Sequence, residues 1–182
     1  EMRIGYVTTA SKGVEDLSYL ERHKKLMRDA GYAFEEIDIE GKTKDELHNF
    51  LKNKNVIHIE GGNTFYLLKA FRATGFDVIV KELITKSIQY VGSSAGAYIV
   101  CPTIEMELWK PIQHNHYGVA DLAGLHLVPF LVLAHYRDDK KDYIRKGIPS
   151  ASYPVRILRD GQGIFVEDGV ATFVGEGEEV KL

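Results

Sequence analysis

The chain has 182 residues, of which 45% are hydrophobic and 27% charged, and its formal net charge is −3. This length suits a single domain over residues 1–182, and the charge argues against general nucleic-acid binding, which needs a strong basic excess. One cysteine excludes an intramolecular disulfide, and no signal-peptide pattern or long apolar run is visible, so we expect a cytoplasmic protein without a membrane segment.

Strands and helices alternate along the first hundred residues. Short segments rich in β-forming side chains predict strands at residues 2–9, 33–39, 55–59 and 88–92. Amphipathic segments predict helices at residues 14–30, 65–73, 77–86 and 95–100, and a capping box, Thr43 to Glu46, opens another. This order predicts an α/β fold with a mainly parallel sheet flanked by helices on both faces. Active sites of such sheets lie at the carboxyl ends of the strands.

The pattern is less regular after Cys101. Residues 105–123 are polar and predict a long loop, whereas residues 124–134 are apolar. A charged helix is predicted at residues 138–146. Beyond residue 154 we expect short strands with turns, one of them at Asp160-Gly161.

The segment Gly92-Ser93-Ser94-Ala95-Gly96 lies between a predicted strand and a predicted helix. Gly-x-Ser-x-Gly in that setting is typical of a nucleophile elbow, which presents the central serine from a strained turn. The pattern therefore predicts Ser94 as the nucleophile and the N–H of Ala95 as an oxyanion donor. The alternative is a tight turn in which Ser94 only caps the helix.

A second glycine turn, Gly61-Gly62, follows the strand predicted at residues 55–59. Its backbone N–H groups are candidates for a further oxyanion donor. A tight turn with Asn63 as helix N-cap is the alternative, and both interpretations can hold together.

A serine hydroxyl needs a general base, and the chain has seven histidines. His135 follows an apolar strand and is favoured, while His114 and His116 in the polar loop are the alternatives. We find no Cys/His metal spacing and no phosphate-binding loop, so no metal or cofactor is predicted.

Three stretches carry a resemblance to a known family: GGNTFYLL from Gly61, YVGSSAGAYIVCPTI from Tyr90 and GLHLVPFLVLAHY from Gly124. In their order and spacing the chain resembles the dipeptidase E and cyanophycinase family of serine peptidases. The resemblance implies a class I glutamine amidotransferase-like fold without a cofactor. It also implies Ser94 as nucleophile, His135 as general base, and an oxyanion hole of Gly61, Gly62 and Ala95.

The chain departs from this family in two ways. Members usually begin with an additional βα unit ahead of the segment that matches residues 2–10, so we expect the sheet edge to be covered by a second subunit in a homodimer. An ungapped alignment also places Trp109 where dipeptidase E carries its triad aspartate, which leaves the acid open. Asp160 is favoured because its turn resembles the cyanophycinase segment that supplies an acid to the histidine. Glu107 is the main alternative, with Glu105 and Asp121 behind it.

The sequence thus predicts a serine peptidase that hydrolyses short peptides, including N-terminal Asp-X dipeptides, through an acyl-serine intermediate. A non-catalytic binding or scaffold protein and an esterase that uses the same serine are the alternatives. An acidic substrate would need a nearby cation, for which the candidates are Lys110, Arg137, Arg156, His114 and His116.

Overall fold

The computed structural model describes residues 1–112 and 115–182 of the chain. The described residues form two compact units, the first of residues 1–97 with 115–119 and the second of residues 98–112 with 120–182. The organisation as one domain stays a prediction.

A parallel four-stranded sheet in the order β2-β1-β3-β4 forms the centre of the first unit. Its strands are β1 (Arg3–Val7), β2 (Ala33–Ile37), β3 (Val56–Ile59) and β4 (Gln89–Gly92). Ile59 pairs with Val7 on one side and with Gly92 on the other. The carboxyl ends of the three strands therefore meet at one edge of the sheet.

Helices cover this sheet on both faces. They are α1 (Ser18–Asp29), α2 (Lys44–Leu51), α3 (Thr64–Thr74) and α4 (Phe76–Thr85), and α5 (Ala95–Ile99) begins after β4. Leu20 and Met27 of α1 join a buried cluster with Ile4 and Tyr6 of β1. Gly5 points to the opposite face, where a Cβ would lie 3.1 Å from the side chain of Leu51 of α2. The predicted α/β fold is confirmed.

Local sequence signals account for several helix boundaries. Thr43 and Glu46 form the predicted capping box at the start of α2. Helix α1 starts at Ser18, so the prediction of a start at residue 14 was wrong. The chain first makes a turn in which the carboxylate of Asp16 accepts a hydrogen bond from the Ser18 N–H.

The second unit contains two small sheets and one α-helix within its described residues. Strand β5 (Leu131–Leu133) pairs in parallel with β6 (Val155–Ile157), β7 (Gly163–Glu167) pairs antiparallel with β8 (Val170–Val174), and α6 is Lys141–Gly147. A 3-10 turn at Glu105–Trp109 interrupts the predicted polar loop. The turn predicted at Asp160-Gly161, after β6, is confirmed, and another turn joins β7 to β8.

Candidate active site

Ser94 lies in the turn that joins β4 to α5, at the carboxyl edge of the sheet. Its φ is 49°, in the left-handed region that residues other than glycine seldom adopt. Such strained backbone is concentrated at functional sites, where the surrounding structure holds it in place. The local geometry is that of the predicted nucleophile elbow.

The two glycines of this motif are required by close packing. A Cβ on Gly96 would lie 2.2 Å from the carbonyl oxygen of Ile59, and a Cβ on Gly92 would lie 2.6 Å from the carbonyl carbon of Gly96. Both distances are far shorter than any van der Waals contact. Because these positions carry no side chain, α5 can approach β3 at Gly96, and β4 can approach α5 at Gly92.

The Gly61-Gly62 turn lies directly beside Ser94. A Cβ on Gly61 would be 3.0 Å from the Cβ of Ser94, and Gly62 has a φ of 146° that favours glycine. Asn63 accepts a hydrogen bond from the Tyr66 N–H at 3.0 Å, which confirms the predicted N-cap of α3. The turn therefore caps a helix and also brings backbone N–H groups next to the elbow.

The N–H of Gly61, one of the predicted oxyanion donors, already has a hydrogen-bond partner. It donates to Oε1 of Glu60 at 2.6 Å, so this hydrogen is already bound by a carboxylate. The side chain of Glu60 folds back onto the turn, which favours the N–H groups of Gly62 and Ala95 as donors. The oxyanion hole of Gly61, Gly62 and Ala95 stays a prediction.

Glu60 itself is a buried acid that sequence reasoning missed. Its side chain is about 1% exposed, and Oε2 accepts from the Tyr6 hydroxyl at 2.5 Å and lies 2.7 Å from Nδ1 of His23. Burial alone would raise the pKa of Glu60, but the hydrogen bonds from Tyr6, Gly61 and His23 outweigh it and hold the pKa below its usual value. Glu60 is therefore a carboxylate at neutral pH.

A second serine–histidine contact lies beside the elbow. Nε2 of His58, on β3, is 2.8 Å from Oγ of Ser93. Burial lowers the pKa of His58, so its imidazole is neutral at pH 7. The hydroxyl of Ser93 is thus engaged with His58.

In the second unit, the structure brings His135 and Asp160 together. His135 follows β5 with a φ of 60°, and its Nδ1 lies 2.5 Å from Oδ1 of Asp160 in the turn after β6. Lys140 donates to the His135 carbonyl at 2.8 Å, and the N–H of Ala134 donates to the Tyr98 hydroxyl at 3.1 Å. A carboxylate on Nδ1 fixes the tautomer in which Nε2 can accept a proton.

The other candidate acids are engaged elsewhere. Glu107 is buried and accepts from Nζ of Lys110 at 2.6 Å, and Glu105 accepts from the Ser152 N–H at 2.6 Å. Asp121 accepts from the Ala123 N–H at 2.9 Å.

Trp109, at the position that corresponds to the dipeptidase E aspartate, packs against α6. A Cβ on Gly147 would lie 2.3 Å from the indole ring, so this glycine makes room for the tryptophan. Trp109 thus has a packing role in the second unit, and the acid beside His135 comes from another element.

A cavity of about 40 Å³ lies beside His135 within the second unit. It is lined by Tyr98, Met106, Glu107, Lys110, Leu133, Ala134, His135, Lys140 and Tyr143. Burial lowers the pKa of Lys140, and the nearby positive charge of Lys110 lowers it further. Lys110 is paired with Glu107, which lines the same cavity, so Lys140 is the cation that a further anionic group would stabilise.

The remaining predicted cations are placed differently. Arg137 pairs with Asp139, and Arg156 pairs with Glu179. His116 belongs to the first unit, and His114 lies outside the described residues.

Neither a metal site nor a membrane span is visible in the described part of the chain. Residues 1–112 and 115–182 contain no group of three or more His, Cys, Asp or Glu side chains that could hold a metal ion. No helix among them is both long enough and apolar enough to cross a membrane.

The fold and the elbow place the chain among α/β proteins that present a serine between a parallel strand and a helix. More narrowly, the chain belongs to peptidase family S51, whose sequence profile matches residues 1–174. The resemblance to dipeptidase E that the three sequence stretches indicated is thereby confirmed.

Curated relatives agree with this assignment. An uncharacterized peptidase of Listeria monocytogenes is 33% identical over 135 residues, covering 74% of this chain and 66% of the relative. Peptidase E of Salmonella typhi is 31% identical over 131 residues, covering 69% of this chain and 57% of the relative. The chain thus spans two thirds or less of the length of these relatives.

Solved structures show the same fold. A Listeria monocytogenes protein solved as a candidate peptidase E superposes with a TM-score of 0.87 at 28% identity, covering 97% of this chain and 87% of that one. A peptidase from an acI-B1 actinobacterium gives a TM-score of 0.65 at 16% identity, covering 99% of this chain and 83% of that one.

Proposed function

We propose that the chain is a serine peptidase that hydrolyses short peptides through an acyl intermediate on Ser94. The observation that carries this proposal is the left-handed φ of Ser94, in an elbow whose glycines leave no room for side chains. Membership of peptidase family S51 supports the same reaction class.

In the proposed reaction, His135 accepts the proton of the Ser94 hydroxyl as its oxygen attacks the scissile carbonyl carbon. The negative charge that develops on the carbonyl oxygen is stabilised by the N–H groups of Gly62 and Ala95. The imidazolium then protonates the leaving amine as the C–N bond breaks. Water attacks the acyl-serine ester in the second half, again with His135 as base, and restores the free hydroxyl.

Asp160 is the orienting acid in this proposal. Its 2.5 Å contact with Nδ1 of His135 supports that role, and the carboxylate would stabilise the imidazolium that forms when Ser94 loses its proton. With this contact, the replacement of the dipeptidase E aspartate by Trp109 no longer argues for a non-catalytic scaffold protein.

We propose N-terminal Asp-X dipeptides as the substrate class. Lys140 supports this choice because it lines the cavity beside His135, where burial and the charge of Lys110 disfavour its charged form and a substrate carboxylate would favour it. An esterase on the same serine would differ only in accepting simple esters and rejecting dipeptides.

A homodimer and a cytoplasmic location complete the proposal, and light scattering at micromolar concentration tests the dimer.

Steady-state kinetics on Asp-Leu and Asn-Leu test the proposal. We expect Ser94→Ala and His135→Ala each to lose activity on the order of 10⁴-fold or more, as in unrelated serine proteases, and Asp-Leu to be the better substrate. Substitution of His114 or His116 by alanine should cost much less. Retained hydrolysis by folded Ser94→Ala would contradict the nucleophile assignment. Equal rates on the two dipeptides would contradict only the proposed preference for an acidic substrate.

A further inference from the structure

The two peptide groups that flank Gly61 are each held by a side chain that no step of the proposed reaction uses. The hydroxyl of Tyr19, in the first turn of α1, donates to the carbonyl oxygen of Gly61 at 3.0 Å. On the other side of Gly61, the N–H donates to Glu60 at 2.6 Å. The backbone of this glycine is therefore fixed at both of its polar groups.

The Tyr19 contact determines where the neighbouring N–H points. The chain has no cis peptide bonds among its described residues, and in a planar trans peptide the C=O and the N–H point in opposite directions. Because the Gly61 carbonyl points at Tyr19, the Gly62 N–H points away from Tyr19. Glycine is conformationally permissive, so two successive glycines restrict the rotation of this peptide less than other residues would.

The partner on the other side of Gly61 is equally well fixed. Glu60 is buried, and its second oxygen is bound by Tyr6 and His23. A carboxylate held by three donors cannot move without breaking several charge-assisted hydrogen bonds. Rotation of the chain at Gly61 is therefore opposed by Glu60, and rotation at the following peptide is opposed by Tyr19.

We propose that Tyr19 is a positioning residue for the oxyanion hole, because its hydroxyl holds the Gly61 carbonyl and so orients the N–H of Gly62. This inference rests on the proposed function, in which that N–H stabilises the oxyanion. Electrostatic stabilisation of this kind depends on donors that are already oriented before the reaction begins.

The hydroxyl keeps its proton over the pH range in which the enzyme would work. Burial and the negative charge of Glu60 raise the pKa of Tyr19 to about 12. Tyr19 therefore remains a hydrogen-bond donor to the carbonyl at neutral and moderately alkaline pH.

Tyr19→Phe removes this one hydroxyl and keeps the ring that packs near His23. Loss of a whole oxyanion donor costs about 10²- to 10³-fold in kcat, and a donor that is only misoriented should cost less. We expect kcat on Asp-Leu to fall about tenfold, with KM changed less than twofold. Affinity for the aminoboronic acid analogue of aspartate, whose tetrahedral boronate mimics the oxyanion, should fall by the same factor, while inhibition by free aspartate should not change.

Tyr32→Phe is the matched control, since Tyr32 is 44% exposed and lies just beyond α1; it should behave as wild type. Wild-type kcat and boronate affinity in Tyr19→Phe would overturn the proposal. An equal loss of affinity for free aspartate and for the boronate would also overturn it, because that pattern indicates a general structural effect.

If the wild type shows no Ser94-dependent hydrolysis, the proposed function fails and this inference fails with it. If the wild type is active and Tyr19→Phe equals it, only this inference fails.

Discussion

Ser94 and His135 both adopt left-handed backbone conformations, with φ values of 49° and 60°. Such conformations cost on the order of 1–3 kcal/mol and persist only where surrounding contacts determine them. Ser87, His126 and Asp168 also have positive φ, so the angle alone does not mark a catalytic residue. Ser94 differs from these residues because its strained backbone lies between Gly92 and Gly96, where the packing leaves no room for a side chain.

The acid that orients His135 provides the first prediction at the residue scale. Asp160→Asn should lower kcat/KM by several orders of magnitude, on the order of 10⁴ by analogy with trypsin, because an amide can donate to Nδ1 and stabilise the wrong tautomer. Glu107→Gln should cost less than tenfold, because Glu107 bonds to Lys110 and not to the imidazole. A large loss in Glu107→Gln with a small loss in Asp160→Asn would reverse the assignment.

His58 leads to a prediction about stability and pH. Burial lowers its pKa in the folded chain, whereas the unfolded chain takes up a proton below about pH 6.5. His58 therefore destabilises the fold as the pH falls from 7 toward 5, because only the unfolded state gains that proton. In thermal denaturation, the midpoint temperature of His58→Gln should fall less between pH 7 and pH 5 than that of the wild type.

The control for that experiment is His48→Gln, which replaces an exposed histidine of α2. It should follow the wild-type pH dependence. The same slope in His58→Gln and in the wild type would show that folding does not change the pKa of His58, contrary to the burial argument.

Local sequence pattern predicts part of the candidate site. The elbow and the glycine turn are visible because each is a short motif between a strand and a helix. Glu60, Tyr6 and His23 form their cluster through contacts that span 54 and 37 positions in the chain, and no local periodicity reports such contacts. No local motif marks the pairing of Asp160 with His135, which the family resemblance favours.

At the scale of elements, the alternation of strands and helices predicts the first unit well because buried parallel strands are short apolar runs. The apolar run at residues 124–134 is different, since only Leu131–Leu133 becomes a strand. The N–H groups of Leu125 and Leu127 donate instead to the carbonyls of Ile99 and Val100 at the end of α5. Those carbonyls lack partners within their helix, and sequence alone does not show which segment will satisfy them.

The packing of the elbow predicts a difference between two glycines. Gly96→Ala would place a Cβ 2.2 Å from a backbone oxygen, which cannot move without distorting β3. We expect a loss of about 3 kcal/mol or more in the free energy of unfolding, at the upper end of overpacking costs. Gly163→Ala, where the Cβ meets only a methyl group of Val174 at 3.3 Å, should cost about 1 kcal/mol or less. Urea denaturation measures both, and equal costs would contradict the packing argument.

For the whole molecule, the central claim is that Ser94 is an activated nucleophile. Family membership and fold rest on residues spread over most of the chain, whereas activity depends on this one hydroxyl. Ser93 offers an internal comparison because it is the adjacent serine, yet its hydroxyl contacts His58.

The most direct measurement is covalent labelling with a fluorophosphonate, followed by intact-mass and peptide mass spectrometry. Only a serine activated by a general base should react with this probe. We expect one adduct on the wild-type chain, located at Ser94, with equal labelling of Ser93→Ala and none of Ser94→Ala. An unlabelled wild type, or an adduct located at Ser93, would show that Ser94 is not the activated nucleophile.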